Sequence, residues 1–237
     1  MTSPSRIRQL DNPFWSSLRT VHRGMARIAG AAARFGAEHA PFLGVADADA
    51  DVGDALNALV APGESVYLLG IAPARVPDGW RLEAFRPLVQ MVCDAPLAVV
   101  PGPEPVALGA AHRDDVLALT ALVYPHYFRR RTMELGRYFG IYRDGRLAAM
   151  IGERLGAEGY REMSAICTHP DFLGQGYARR LTALLGNATL AAGLVPFLHV
   201  SRDNPRALQL YERMGYRHRR DIGFWALHAP ATGTGER

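Results

Sequence analysis

At 237 residues, with 49% hydrophobic and 21% charged side chains, the chain can bury one large core or two small ones and reads as a soluble globular protein. No apolar run is long enough to span a bilayer and residues 1–10 lack an apolar signal segment, so a cytoplasmic protein is expected; Cys93 and Cys167 lie far apart and offer neither a disulfide framework nor a metal-ligand spacing. The net charge of +4 is unevenly spread: residues 1–105 carry nine arginines against eleven acids, and residues 106–237 carry eighteen against twelve, which gives the second part a field that attracts polyanions. Those arginines are dispersed and no aromatic nucleic-acid motif accompanies them, so no nucleic-acid partner is expected.

In chain order, Asn12-Pro13 opens a long helical pattern in which Phe14, Leu18, Val21, Met25, Ile28 and Ala32 recur at helical spacing. Asp47, Asp49 and Asp51 alternate as loop ligands of a cation do, but they lack the glycine and distal glutamate of a calcium loop and read as a solvated turn. Residues 54–59 read as a second helix, and 65–69 and 88–93 as short strands. Pro101-Gly102-Pro103-Glu104-Pro105 is the clearest punctuation and separates an N-terminal lobe, 1–105, from a second lobe, 106–237.

The second lobe is more regular. Residues 112–123 are helical in pattern, and a loop follows from Tyr124, in which Arg129, Arg130 and Arg131 read as a solvated charge run. Residues 137–143 and 146–155 are strands joined by Asp144-Gly145, a hairpin signal, and 161–168 is a strand that stops before Pro170. Residues 176–192 form a helix with Ala178, Leu181, Leu184, Leu185 and Ala188 on one face and Gly193 as its stop. A strand at 196–201, a helix at 205–214 and a strand at 217–227, bent near Gly223, complete the chain.

Two blocks carry chemistry. The first runs from Glu162 through Ile166-Cys167-Thr168 to Leu173-Gly174-Gln175-Gly176-Tyr177-Ala178-Arg179. A strand entering a glycine turn that opens a helix aims unpaired backbone N–H groups and the helix dipole at one spot, which suits phosphate. A Walker loop needs a lysine, and the chain has none; a Rossmann fingerprint needs Gly or Ala where Arg179 stands and an acid near Pro196. The second block is Asn204-Pro205-Arg206-Ala207-Leu208-Gln209-Leu210-Tyr211-Glu212-Arg213-Met214-Gly215-Tyr216. Here Asn204 is an N-cap, Pro205 suits the first helical position and Gly215 is a C-cap.

Together the blocks resemble the GNAT superfamily of acyl-coenzyme A dependent N-acetyltransferases. Its cofactor loop, Gln/Arg-x-x-Gly-x-Gly/Ala, is matched from Leu173 to Ala178 except that Leu173 replaces the polar first residue, and its Asn-x-x-Ala-x-x-x-Tyr-x-x-x-Gly-Phe/Tyr block is matched from Asn204 to Tyr216. The resemblance, over residues 110–228, implies an α/β (α+β) fold with a mixed central sheet flanked by helices. It also implies an N-terminal α/β lobe that is a degenerate relative, as in glycine N-acyltransferase-like proteins.

It further implies acetyl-coenzyme A as cosubstrate, with no metal. The amides from Gly174 to Ala178 would hold its pyrophosphate, with Leu173 and Arg179 beside them. Ile166, Cys167 and Thr168 would hold its pantetheine arm, a strand N–H near Ile166 would polarise its carbonyl, and Asn204 would lie near the arm. Tyr211 is then the candidate general acid for the departing thiolate, and Glu162 the candidate base, with Glu153 or a water as alternatives. His169 reads as a structural hydrogen-bonder. The expected function is acetyl transfer to a primary amine by a monomer or homodimer; a non-catalytic acyl-coenzyme A sensor is the alternative.

Overall fold

The computed structural model describes residues 4–123 and 125–231; Tyr124, expected in the loop after the first helix of the second lobe, lies outside the described residues. Two short helices, α1 (Pro4–Ile7) and α2 (Pro13–Arg19), lead into strands β1 (Ala26–Ala29), β2 (Ala32–Phe35) and β3 (Leu43–Val45), helix α3 (Gly53–Leu59), and strands β4 (Ser65–Leu69), β5 (Arg81–Ala84) and β6 (Leu88–Val92). Then come β7 (Val106–Leu108), α4 (Arg113–Val123), β8 (Tyr138–Arg143), β9 (Arg146–Ala157), β10 (Tyr160–Thr168), α5 (Tyr177–Ala191), β11 (Val195–Ser201), α6 (Pro205–Met214), β12 (Arg217–Ile222) and β13 (Phe224–His228).

The long helix expected from Pro13 to Ala32 is not formed. Helix α2 ends at Arg19, and the rest of that periodic stretch is a turn followed by β1 and β2, paired through Ala29 and Ala32. The cause is a tertiary tie: the Ser17 hydroxyl is hydrogen-bonded to His22 Nδ1 at 2.8 Å and accepts from the Gly156 amide at 3.1 Å, while His22 Nε2 meets the Leu135 carbonyl at 2.8 Å. These buried bonds hold the turn against β9 and outweigh a weak local preference. Val21 and Ile28, expected on the buried face, are substantially exposed.

The central sheet is mixed and seven-stranded, in the order β12-β6-β11-β10-β9-β8-β7, and helices flank it. On one face, α5 and α6 bury Leu181, Leu185 and Tyr211 with Leu198 and Val200 of β11. On the other, Phe14 and Leu18 of α2 pack with Leu155, Tyr160 and Phe197. The β8–β9 hairpin turns through Asp144 and Gly145, both at positive φ (51° and 73°), as its Asp-Gly sequence demands.

The sheets cross the division expected at Pro105. Strand β6, from the first hundred residues, lies between β11 and β12, and β13 lies between β4 and β5 in a separate three-stranded sheet. Residues 217–227 are thus two strands serving two sheets. At Gly223 between them, a Cβ would fall 2.0 Å from the Trp225 ring, so only glycine fits the bend. The proline segment is itself pinned, since Arg180 of α5 donates to the carbonyls of Pro103 (2.7 Å) and Val100.

Candidate active site

Parallel pairing of β10 with β11 covers Tyr160–Val195, Arg161–Pro196 and Glu162–Phe197, and then ends. Beyond Glu162 the two strands part, leaving a fork flanked by Met163 to Thr168 on one side and Leu198 to Ser201 on the other. On its other edge β10 also departs from regularity: Ser164 faces Gly152 and Cys167 faces Met150, so Ala165 and Ile166 fall out of register as a bulge. Ala165 takes φ 48° there, a left-handed conformation that costs a residue with a Cβ about 1–2 kcal/mol and persists only where its surroundings enforce it. The bulge re-aims the backbone around Ile166 at the mouth of the fork. No glycine or proline marks it in the sequence.

A short 3-10 turn, Pro170–Phe172, carries β10 into the glycine loop. His169 caps this turn, its Nδ1 accepting from the Asp171 amide at 3.2 Å, so it is a structural hydrogen-bonder as expected. Gly174 and Gly176 follow at φ 80° and 77°, and at both a Cβ would project into open space. Gly176 is the N-cap of α5 and brings no side chain to its first amides, leaving them available to an external acceptor. Their dipole end faces a cavity of about 620 Å³ enclosed by the end of β10, the loop and α6.

Ile166, Thr168, Leu173, Gly174, Gln175, Gly176, Tyr177, Ala178, Arg179, Asn204 and Tyr211 all line this cavity. Cys167 does not. Alternation along β10 turns it to the opposite side, toward the cluster of Leu108, Val116 and Met150, and burial pushes its thiol up to about 12. A thiol so protonated at neutral pH is a poor nucleophile. Leu173 is half exposed at the rim, and the Tyr177 hydroxyl donates to Gln175 at 2.5 Å, tying the loop to the first turn of α5.

Helix α6 begins and ends as its sequence dictates. Asn204 Oδ1 accepts from the Ala207 amide at 3.0 Å, Pro205 occupies the first turn, and Gly215 closes the helix at φ 101°. That phasing turns Ala207, Leu210, Tyr211 and Met214 inward. Tyr211 is buried, edge-on to Tyr216 with ring centroids 5.9 Å apart, and reaches the cavity wall.

Glu162 is fully buried at the base of the fork, on the α2 side. Arg154 Nη2 and Nε donate to its two carboxylate oxygens at 2.6 and 2.8 Å, and His199 Nδ1 donates at 2.7 Å. Burial alone pushes this carboxyl up, but the Arg154 guanidinium and the His199 bond outweigh it and hold it down, at about 2. His199 Nε2 in turn meets the Gln90 side-chain amide at 2.9 Å, which also donates to the Leu10 carbonyl at 2.8 Å. The expectation that Glu162 is the base therefore meets an anion whose oxygens are committed and whose proton affinity is low. Glu153 is committed as well: it accepts from the Arg137 guanidinium at 2.7 Å and from the Arg137 amide at 2.9 Å.

The family model of FR47-like proteins matches residues 138–225. A crystal structure of a GNAT-family protein from Novosphingobium aromaticivorans is 32% identical, over 94% of this chain and 99% of that one, with a TM-score of 0.83. This chain belongs to the GNAT family. The GNAT fold recurs at lower identity in a GCN5-related N-acetyltransferase from Kribbella flavida (17%, 93% and 95% of the two chains, TM-score 0.60) and in a GCN5-related N-acetyltransferase-like protein from Streptococcus suis (16%, 93% and 97%, 0.55). No curated protein matches the chain.

Within this GNAT fold, sequence reasoning missed several residues of the cavity wall. Phe172, Leu210 and Met214 line it, as do Arg206 and Arg213, which with Arg179 make its mouth basic. Arg206 and Arg213 lie between Asn204 and Tyr216, and their spacing on one helix is the sequence signal for anion contacts. Arg129, Arg130 and Arg131 lie away from the cavity; Arg131 pairs with Glu134 at 2.7 Å. At the aspartate turn, the Asp47 carboxylate accepts from the Asp49 amide at 3.0 Å. No cluster of potential metal ligands occurs among the described residues, and no helix among them is long and apolar enough to cross a membrane.

Proposed function

We propose that the chain transfers an acyl group, acetyl in the first instance, from an acyl-coenzyme A to a primary amine by direct attack within a ternary complex in the cytoplasm. The observation that carries this reading is convergence: Ile166 beside the bulge of β10, the uncapped N-terminus of α5 and Tyr211 all line one cavity. The residues fit the cosubstrate. The loop amides and Arg179, Arg206 and Arg213 suit its phosphates, and the open edge of β10 suits the amides of its arm. When bound it supplies a thioester carbon open to attack and a thiolate as leaving group.

The chain's own part is to hold, polarise and move protons. An N–H in the bulge stabilises negative charge that develops on the carbonyl oxygen. The acceptor ammonium loses a proton to water at the fork, its neutral nitrogen forms a bond to the acyl carbon, and that nitrogen loses its second proton to water as the carbon–sulfur bond breaks. Tyr211 gives its phenolic proton to the sulfur and regains one from solvent. Glu162 we assign as a fixed negative charge that anchors Arg154 and His199, because a carboxyl at about 2 is too weak a base for an ammonium proton. Direct attack is favoured over an acyl-cysteine route by the high pKa of Cys167. The N-terminal lobe contributes structure and acceptor contacts in this reading.

A thiol-release assay over a panel of amines tests it. Turnover on at least one amine is expected. Calorimetric binding of coenzyme A with no turnover on any would make the protein a sensor.

A further inference from the structure

A second cavity, of about 390 Å³, opens on the face of the sheet opposite α5 and α6. Alternation along β11 joins the two: Leu198 and Val200 point to the helices beside the first cavity, whereas His199 and Ser201 line the second. The loop from β11 into α6 divides them, with Asp203 on one and Asn204 on the other. Both thus lie at the fork where β10 leaves β11.

The walls of this second cavity are rings. Phe14, Phe42, Phe85, Tyr127 and Phe224 line it. Phe224 is the hub, stacked on Tyr67 at 5.7 Å, beside Phe85 at 5.3 Å and edge-on to Tyr127 at 6.0 Å. The charged groups present are already matched: Arg86 pairs with Asp203 at the rim, and at the floor Arg154 lies over the Phe42 ring (5.0 Å) while binding Glu162, which also holds His199. A polycation or an amino acid carboxylate would lose its water there and find only groups with partners. A single amino group on a ring-sized apolar body loses little, and ring faces attract its ammonium form until it deprotonates.

We infer that the acceptor is a primary amine carried on an aromatic or compact apolar body, selected by the ring-lined cavity with Phe224 and Phe85 as its specificity-determining residues. This rests on the proposed acyl transfer for the role of the cavity, but selection itself is a matter of binding. Calorimetry on the full chain saturated with coenzyme A, titrated separately with 2-phenylethylamine, ethanolamine and spermidine, tests it. Phenylethylamine is expected to bind at least tenfold more tightly than either polar amine, and Phe224→Ala and Phe85→Ala to weaken it at least tenfold with unchanged coenzyme A affinity. Equal binding of the three amines, or phenylethylamine binding unaltered in both variants, overturns the inference. Thiol release is measured alongside: selective binding without release leaves this cavity assigned and removes the acyl-transfer reading instead.

Discussion

Glu162 and Phe197 are the last pair at which β10 and β11 run side by side, and the buried Glu162 carboxylate sits where the two strands part. Its bonds to Arg154 on β9 and His199 on β11 clamp three strands at the apex of the fork. The position of the fork thus depends on a charge cluster that faces away from the cavity before α5.

Glu162→Gln removes that charge and with it the buried ion pair to Arg154. Loss of roughly 3 kcal/mol of stability is expected at pH 7 by urea unfolding. A carboxyl whose folded pKa lies below its unfolded value stabilises the fold above the unfolded value and loses that contribution as pH falls through the folded one. The wild-type protein should therefore lose stability between about 4.5 and about 2, and the variant should show a flatter acid limb. If Glu162 is only a fixed charge, kcat in the folded variant stays within about tenfold of wild type; a loss of two orders of magnitude with a shifted pH profile would make it the base.

Tyr211→Phe keeps the buried ring and its contact with Tyr216 and removes only the hydroxyl. We expect kcat to fall by roughly two orders of magnitude or more with coenzyme A affinity unchanged. Steady-state thiol release and calorimetry on the same preparation separate the two, and an unchanged kcat would take the phenol out of the mechanism.

Gly176→Val puts a β-branched side chain at φ 77° and directs it into the space before the α5 amides. No described residue lies within 4 Å of that Cβ, so the fold should survive, with a strain cost of about 2–3 kcal/mol. Coenzyme A binding should be abolished. Normal affinity by calorimetry would move the pyrophosphate elsewhere.

Ala165 offers a test of stored strain. Ala165→Gly relieves the left-handed backbone but loosens the unfolded chain, so stability should change by less than about 1 kcal/mol and activity should remain. Ala165→Val should cost more than about 2 kcal/mol, because a branched residue tolerates that φ poorly and the site is buried. Thermal unfolding of both variants decides it; equal melting temperatures would show that the bulge is not strained.

Much of the architecture is legible in the residues. Helix α6 has the bounds predicted for it because Asn204, Pro205 and Gly215 each satisfy a backbone requirement locally, and the β8–β9 turn follows from Asp144-Gly145 for the same reason. The glycine loop announces its conformation, since Gly174 and Gly176 both need positive φ. What escaped depends on distant partners. The end of α2 is set by Ser17, His22 and β9, the bulge at Ala165 by its neighbours in the sheet, and the muted basicity of Glu162 by Arg154 and His199, eight and thirty-seven positions away. Hydrophobic spacing carries no trace of such ties.

The crossing of strands at Pro105 has a consequence for biosynthesis. As the chain leaves the ribosome, β4 and β5 emerge without the strand that joins them, since β13 follows them only after β12. Strand β6 likewise waits for β11 and β12. The first hundred residues therefore cannot settle co-translationally as a finished unit, and must keep the edges of β4, β5 and β6 shielded until β11, β12 and β13 have followed.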